Sequence, residues 1–306
     1  MKQLLCFLIF AYFIFTNHIM LSQDDVSEDT LKGLVKKFVF GSPFKQYEYF
    51  NLRTKKFPSI SLFTGLNQPL HPDISSNLKF NTQNFASIHI GSSNIKTKEL
   101  KDGRKINFLK REALFVGNYS SKWIVKDNQN INATMWRFGV NFSDNGYGYK
   151  LGEKNYLFFT HGNSLIWSKF DVDNSQKVSI SDSSILGRFS EQFRFGNSFQ
   201  SGISLVLLRS VSFDFRFERS VVYPAHKFWY WLGSYTIEGI SLLLLDEFIR
   251  EINYSSPYAA PIVNVILKSA LSYGIYELRK DRMNWPFKTE SPLFHDNFKI
   301  GITFMF

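Results

Sequence analysis

The chain reads as an antiparallel transmembrane β-barrel of about ten strands, with a helical hairpin inserted before the last strand. Three observations predict it. Apolar residues recur at every second position through most of the chain. Aromatic residues make up 17% of it, with 33 Phe, while hydrophobic residues as a whole stand at an ordinary 44%. The chain also ends on NFKIGITFMF, a strand whose apolar face includes the terminal residue itself. Much apolar area interleaved with polar residues suits a wall that meets lipid on one side and polar side chains on the other. A polytopic helical protein would show several apolar runs of about 20 residues, and beyond the N-terminus there is none.

Residues 1–22 have the layout of a signal peptide: one Lys, an apolar run from Leu4 to Phe15, and a polar, acidic start after Ser22. An uncleaved membrane anchor is the alternative. Cys6 is the only cysteine and lies inside this run, so the mature chain is expected to carry no disulfide. Residues 23–57 form an N-terminal segment in which 24–40 suits a short amphipathic helix. The net charge of +10 comes without a Lys/Arg run of the nucleic-acid type. Clusters such as Lys36-Lys37, Lys55-Lys56 and Lys96 to Arg111 read as loop charges near lipid phosphates.

The barrel is assigned to 58–306. Ile60, Leu62 and Leu66 alternate with small or polar residues, as do Ala86, Ile88 and Ile90. The same holds for Trp136, Phe138, Val140 and Phe142, for Phe189, Phe193 and Phe195, and for Phe199, Ile203, Leu205 and Leu207. Phe213, Phe215 and Phe217 alternate with Asp214, Arg216 and Glu218. Segments 112–120, 154–161 and 163–170 are strand-like with blurred alternation. Turn signals fall at 67–77, 101–103, 127–130, 144–146, 171–182 and 196–198. If the apolar face meets lipid, Arg137, Arg194, Asp214, Arg216 and Glu218 face the lumen.

Residues 227–286 break the period of two. Two helices of some 20 residues are predicted there, with Ser255-Ser256-Pro257 opening the second. The hairpin packs on the barrel or in its mouth, plugs the lumen, or lies on the membrane surface. Glu238, Asp246, Glu247 and Lys268 are expected to be solvated or to pair with one another. Inside a lumen they would face Arg137, Arg194 and Arg216.

Taken together, the signal peptide, the aromatic-rich strands and the terminal Phe306 resemble bacterial outer-membrane β-barrel proteins as a class. The motif-like part is the last strand: Phe298, Ile300, Ile302, Phe304 and Phe306. The resemblance implies an outer-membrane location, contact with membrane lipids, and recognition of that strand by the barrel-assembly machinery. It also implies a structural, binding or transport role. A lipid hydrolase or acyltransferase of the outer membrane is the alternative, and a periplasmic lipid-binding β protein is another.

Catalytic and metal signals are weak. His161-Gly-Asn-Ser164 holds a base and a hydroxyl, but three positions apart they fall on opposite faces of an extended strand. His226 lacks partners at ligand spacing and stands before an aromatic group, Phe228 to Trp231, suited to a membrane interface. No catalytic residue, metal or cofactor is therefore expected. The sequons at Asn118, Asn132, Asn141 and Asn253 are read as chance matches.

Overall fold

The computed structural model describes residues 56–74, 79–99, 103–123, 131–172, 179–190 and 192–306. The expected signal peptide and nearly all of the segment 23–57 lie outside these residues. The strands are β1 (Phe57–Leu70), β2 (Gln83–Glu99), β3 (Lys105–Ser120), β4 (Ala133–Lys150), β5 (Tyr156–Val172), β6 (Arg194–Leu207), β7 (Val211–Val222) and β8 (Leu293–Met305). Each pairs antiparallel with its neighbours. β8 pairs with β1 from Leu70↔Phe294 to Ser59↔Met305, so the sheet closes into an eight-stranded barrel with no free edge.

The strand count corrects the expected ten. Segments 154–161 and 163–170 are one strand, β5, and the pieces around Phe195 and Phe199 are one strand, β6. Phe189 belongs instead to helix α1 (Ile180–Ser190), where it is buried. The turn signals at 144–146 and 196–198 fall inside β4 and β6.

The two ends of the barrel differ. At one, the connections 100–104, 151–155 and 208–210 are short, and the chain enters at Phe57 and leaves at Phe306. At the other, the connections 71–82, 121–132, 173–193 and 223–292 are long. We call these the turn end and the loop end. Between β7 and β8 lie helices α2 (Phe228–Ser255, 28 residues) and α3 (Ala260–Leu278, 19 residues). α2 runs through Ser255, and α3 opens at Ala260 with Pro261 in its first turn, later than the sequence suggested.

The interior is filled in three layers. At the loop end, Leu186 and Phe189 of α1 pack with Ile74, Phe80, Ile131 and the strand residues Phe170 and Leu293. At the turn end, Leu109, Tyr156, Phe158, Val206 and Met305 form a second apolar layer. Between them lies a layer of ion pairs. Arg111 meets Asp214 at 2.6 Å, and Arg216 bridges Asp144 at 2.6 Å and Asp214 at 3.3 Å. Arg137 donates to Glu218 at 3.0 Å, Asn297 donates to it at 2.8 Å, and Lys299 also pairs with it. Buried charges persist only when paired in this way. Phe63 reaches the interior because Gly301 stands opposite: a Cβ there would come within 2.3 Å of its ring.

On the outer wall, one sector is continuously apolar. Leu62, Leu66, Ile88, Ile90, Leu114, Phe213, Phe215, Phe298, Ile300, Ile302 and Phe304 all point outward and are exposed. β7 has 12 residues, a strand length of about 40 Å. At the tilt of such barrels this spans the roughly 25 Å apolar band of a membrane barrel.

Candidate functional site: the helix-covered outer wall

On the remaining strands the outer wall keeps exposed apolar residues such as Trp136, Phe138 and Ile203, but one stripe breaks the apolar rule. Strand register fixes which residues point outward. Asn145 of β4 is opposite His161 of β5, which is opposite Ser201 of β6, and Ser143 is opposite Asn163. These five, with Asn197 of β6, Arg219 of β7 and Asp296 of β8, stand on the same outer face as the apolar residues of the bare sector. A bulge between Asn141 and Ser143 shifts the alternation of β4 and helps to aim Asn145 outward.

The hairpin covers this polar stripe. Ser269 of α3 donates to Ser201 at 2.7 Å, and Ser272 lies 3.4 Å from Nε2 of His161. Nδ1 of His161 meets the Ser201 hydroxyl at 2.9 Å. Trp231 of α2 donates its indole N–H to Asn197 at 3.2 Å, and the Tyr276 hydroxyl donates to Asp296 at 3.0 Å. Arg219 stacks over Tyr273 and Tyr276, 4.2 Å and 5.2 Å from the ring centroids. At the turn end, Arg104 holds the carbonyl of Tyr254 at 2.9 Å, and Tyr149 donates to the carbonyl of Tyr258. The hairpin therefore runs from the loop end to the turn end along the outside of the barrel.

Both helices are inverted relative to a soluble amphipathic helix. In α3, Asn264, Lys268, Ser272 and Tyr276 recur every four residues on the buried face, while Ile262 and Ile266 are exposed. In α2, Ser234, Glu238 and Asn253 are buried, while Ile237, Leu244 and Phe248 are exposed. Two ion pairs join the helices. Lys268 meets Asp246 at 2.5 Å, and Arg279 meets Glu238 at 2.9 Å and donates to Ser234 at 3.1 Å. At the loop end the hairpin is anchored by an apolar cluster of Val221, Tyr223, Tyr276, Met283 and Phe294. No helix among the described residues is long and apolar enough to cross a membrane. Here the polar stripe is turned to the wall and apolar residues lie outside, with the half-buried Glu247 and the exposed Arg250 and Glu251 toward the end of α2.

Of the residues singled out from sequence, Phe298, Ile300, Ile302, Phe304 and Phe306 lie on the bare outer wall. Arg137, Asp214, Arg216 and Glu218 lie in the interior ion-pair layer. Arg194 departs from them: it sits at the loop-end rim, only half-buried, with Nε donating to the Arg188 carbonyl at the end of α1. Arg111, Asp144 and Lys299 complete the interior layer and were missed, although Lys299 alternates visibly with Phe298 and Ile300. Glu238, Asp246 and Lys268 face the hairpin's own partners and not the interior arginines, because the hairpin is outside the barrel. His161 points outward, and Ser164, opposite Asn141 and Ser198, points inward. Among the described residues no group of three or more His, Cys, Asp or Glu could hold a metal ion.

A concave place lies at the loop end. A cavity of about 290 Å³ is lined by His71, Asp73, Arg188, Phe189 and Glu290 among others. Nδ1 of His71 accepts from the Asp73 N–H at 3.2 Å, and its ring meets Phe189 edge-on at 5.8 Å. Burial first, opposed by Asp73 and reinforced by Arg188, holds the His71 pKa below its ordinary value.

No family model matches the chain, and no curated protein matches it. Among solved structures, Neisserial surface protein A overlays with a TM-score of 0.37 at 10% identity, covering 81% of this chain and 97% of that one. Ail, the attachment invasion locus protein of Yersinia pestis, overlays with a TM-score of 0.30 at 7% identity, covering 82% of this chain and 99% of its own. Ail in complex with the heparin analogue sucrose octasulfate gives a TM-score of 0.30 at 9% identity. Likenesses this remote bear no weight on what the chain does.

Proposed function

We propose that the chain is an integral β-barrel of the bacterial outer membrane that acts by binding or as a scaffold and does not conduct. The observation that carries this is the filled interior: two apolar layers enclose a layer in which Arg111, Arg137, Arg216 and Lys299 are all buried and paired. The membrane reading rests on the closed sheet and on the apolar outer sector, since a closed barrel leaves no backbone group unpaired in lipid. Binding is then left to the long loops around the His71 cavity and to the outer wall. Refolded protein in planar bilayers should show heat-modifiable gel mobility and no stepwise conductance. Stable current steps would sink the non-conducting reading, and recovery of the native protein as a soluble species would sink the membrane reading.

Recognition of β8 by the assembly machinery belongs to the same proposal. Phe306 ends the apolar face, and its N–H donates to the Pro58 carbonyl at 2.9 Å, which carries the closure to the last residue. Phe306→Asp should lower outer-membrane abundance with little change in the stability of the barrel once folded. Unchanged abundance counts against that role.

One observation favours the lipid-hydrolase alternative: His161 and Ser201 are in contact on the outer wall. Both are covered by α3, and both ring nitrogens of His161 meet hydroxyls rather than a carboxylate that would orient it. We read the contact as a clasp for the hairpin. Loss of a lipid-cleaving activity in both His161→Ala and Ser201→Ala, with the barrel folded, would reverse that reading.

A further inference from the structure

We propose that the loop-end cavity beside His71 binds a single neutral sugar ring, an inference that rests on the binding reading above and names the ligand class of that site. Three separate pieces of chain build the cavity. His71 and Asp73 follow β1, Arg188 lies on α1, and Glu290 belongs to the connection between β7 and β8. Its volume of about 290 Å³ stands at the small end of small-molecule sites, which run from roughly 300 to 1,000 Å³. It therefore suits one ring rather than a chain of them. The Arg188 and Glu290 side chains are 51% and 45% exposed, so the cavity is open from outside. Long loops of outer-membrane barrels face the exterior and short turns the periplasm, which places the cavity on the outer surface of the cell.

The polar lining is balanced in charge. Glu290 meets Arg188 at 3.4 Å and Lys227 at 3.8 Å, and Asp73 stands beside the His71 ring, to which its N–H donates. Two carboxylates are thus matched by two cations, and a charged ligand would have to compete with the Arg188–Glu290 pair. Neutral hydroxyls can bridge that pair and leave it intact. The site offers hydrogen bonding in both senses within one small space. Asp73 and Glu290 accept, Arg188 donates, and the Thr289 and Ser291 hydroxyls do either. Ile185 and Pro224 supply an apolar side. A pyranose has the matching surface: a rim of hydroxyls that each donate and accept, around C–H faces that are apolar.

The test uses the full chain refolded in phosphatidylcholine nanodiscs, free of sugar detergents, with the His71 ring resonances read by NMR at constant pH. The methyl glycosides of glucose, galactose and mannose are titrated in turn. At the ordinary efficiency of small ligands, a dozen or so atoms give a Kd of about 1 mM. At least one glycoside should shift the His71 ring saturably in that range, and glucosamine and glucuronate should bind more weakly than it. Asp73→Ala and Arg188→Gln should each weaken the glycoside roughly tenfold, the loss of a hydrogen bond to a charged group. Lys169→Gln on the outer wall should leave it unchanged. The absence of a saturable shift with all three glycosides would overturn the proposal. Tighter binding of glucosamine or glucuronate, which marks an ion site, would also overturn it, as would an affinity indifferent to both substitutions. The wild-type titrations decide by themselves if either variant folds poorly. Heat-modifiable mobility and the absence of current steps, measured on the same preparation, test the membrane and non-conducting readings separately from these outcomes.

Discussion

The outer wall has two sectors that differ in chemistry and agree in geometry. On β8, β1 and β2, outward residues such as Ile302, Leu62 and Ile90 are apolar and bare. On β4, β5 and β6, outward residues such as Asn145, His161 and Asn197 are polar and buried. Both sectors are hydrogen-bonded strands of one closed sheet. The difference lies in what covers them: no part of the described chain for the first, and the polar faces of α2 and α3 for the second. Alternation in a strand therefore reports the environment of a wall rather than the presence of the strand. The hairpin repeats the lesson in helical form. Its polar stripe, Asn264, Lys268 and Ser272, faces protein, and its apolar stripe faces out.

Removing the cover should break this arrangement most severely. Replacing residues 228–278 by a short Gly/Ser loop would turn six polar residues of β4–β6 toward lipid, at a cost of a few kcal/mol in all. Folded, heat-modifiable protein should fall sharply in this variant. Leucine at Asn145, His161, Asn163, Asn197 and Ser201 should restore it. A hairpin-less barrel that folds as well as wild type would show that the cover is dispensable.

The same contrast explains what could be read from the sequence. The bare sector was legible, because Phe213, Phe215 and Phe217 against Asp214, Arg216 and Glu218 announce two environments directly. The terminal strand was legible for the same reason. The covered sector was misread at several positions. Asn145 and Asn197 each looked like the centre of a turn, and Gly162 fell between two expected strands; the breaks at 162 and 196–198 inflated the count from eight to ten. A strand that is polar on both faces resembles a loop unless its cover is known. The polar stripe of α3 at intervals of four residues was the available signal, since such a face demands a polar partner. The interior pairings were not legible. Arg111 and Asp214 lie 103 positions apart, and no local spacing announces that contact.

The ion pair between Glu238 and Arg279 sharpens the account at one point. Its side chains are 10% and 5% exposed. Glu238→Leu leaves a buried guanidinium without its carboxylate and should cost about 3 kcal/mol in urea unfolding from vesicles. Glu238→Leu with Arg279→Met should recover most of that loss. Equal losses in the single and double variants would show that the site packs by shape and not by charge.

A smaller effect is expected at the loop end. The His71 pKa is lowered in the folded chain, so the native state binds fewer protons than the unfolded chain near the ordinary value of 6.5. Its contribution to loop stability is full above that value and declines as pH falls through it toward the lowered folded pKa. An NMR titration of the His71 ring should give a midpoint below 6.5, moving upward in Arg188→Gln, which removes a nearby positive charge. A midpoint at or above 6.5 would contradict the buried position of the ring.

The division of the wall itself can be measured directly. Single cysteines introduced in a Cys6→Ser background, spin-labelled and reconstituted in bilayers, report oxygen accessibility at each position. Labels at Leu114, Phe215 and Ile302 should show high accessibility, and so should labels at Phe248 and Ile266 on the hairpin. Labels at Asn145 and Asn197 should be shielded, although register places them outward just as it places Leu114. Equal accessibility at Asn197 and Leu114, with Ile266 exposed to water rather than lipid, would contradict a hairpin seated on the barrel wall within the membrane.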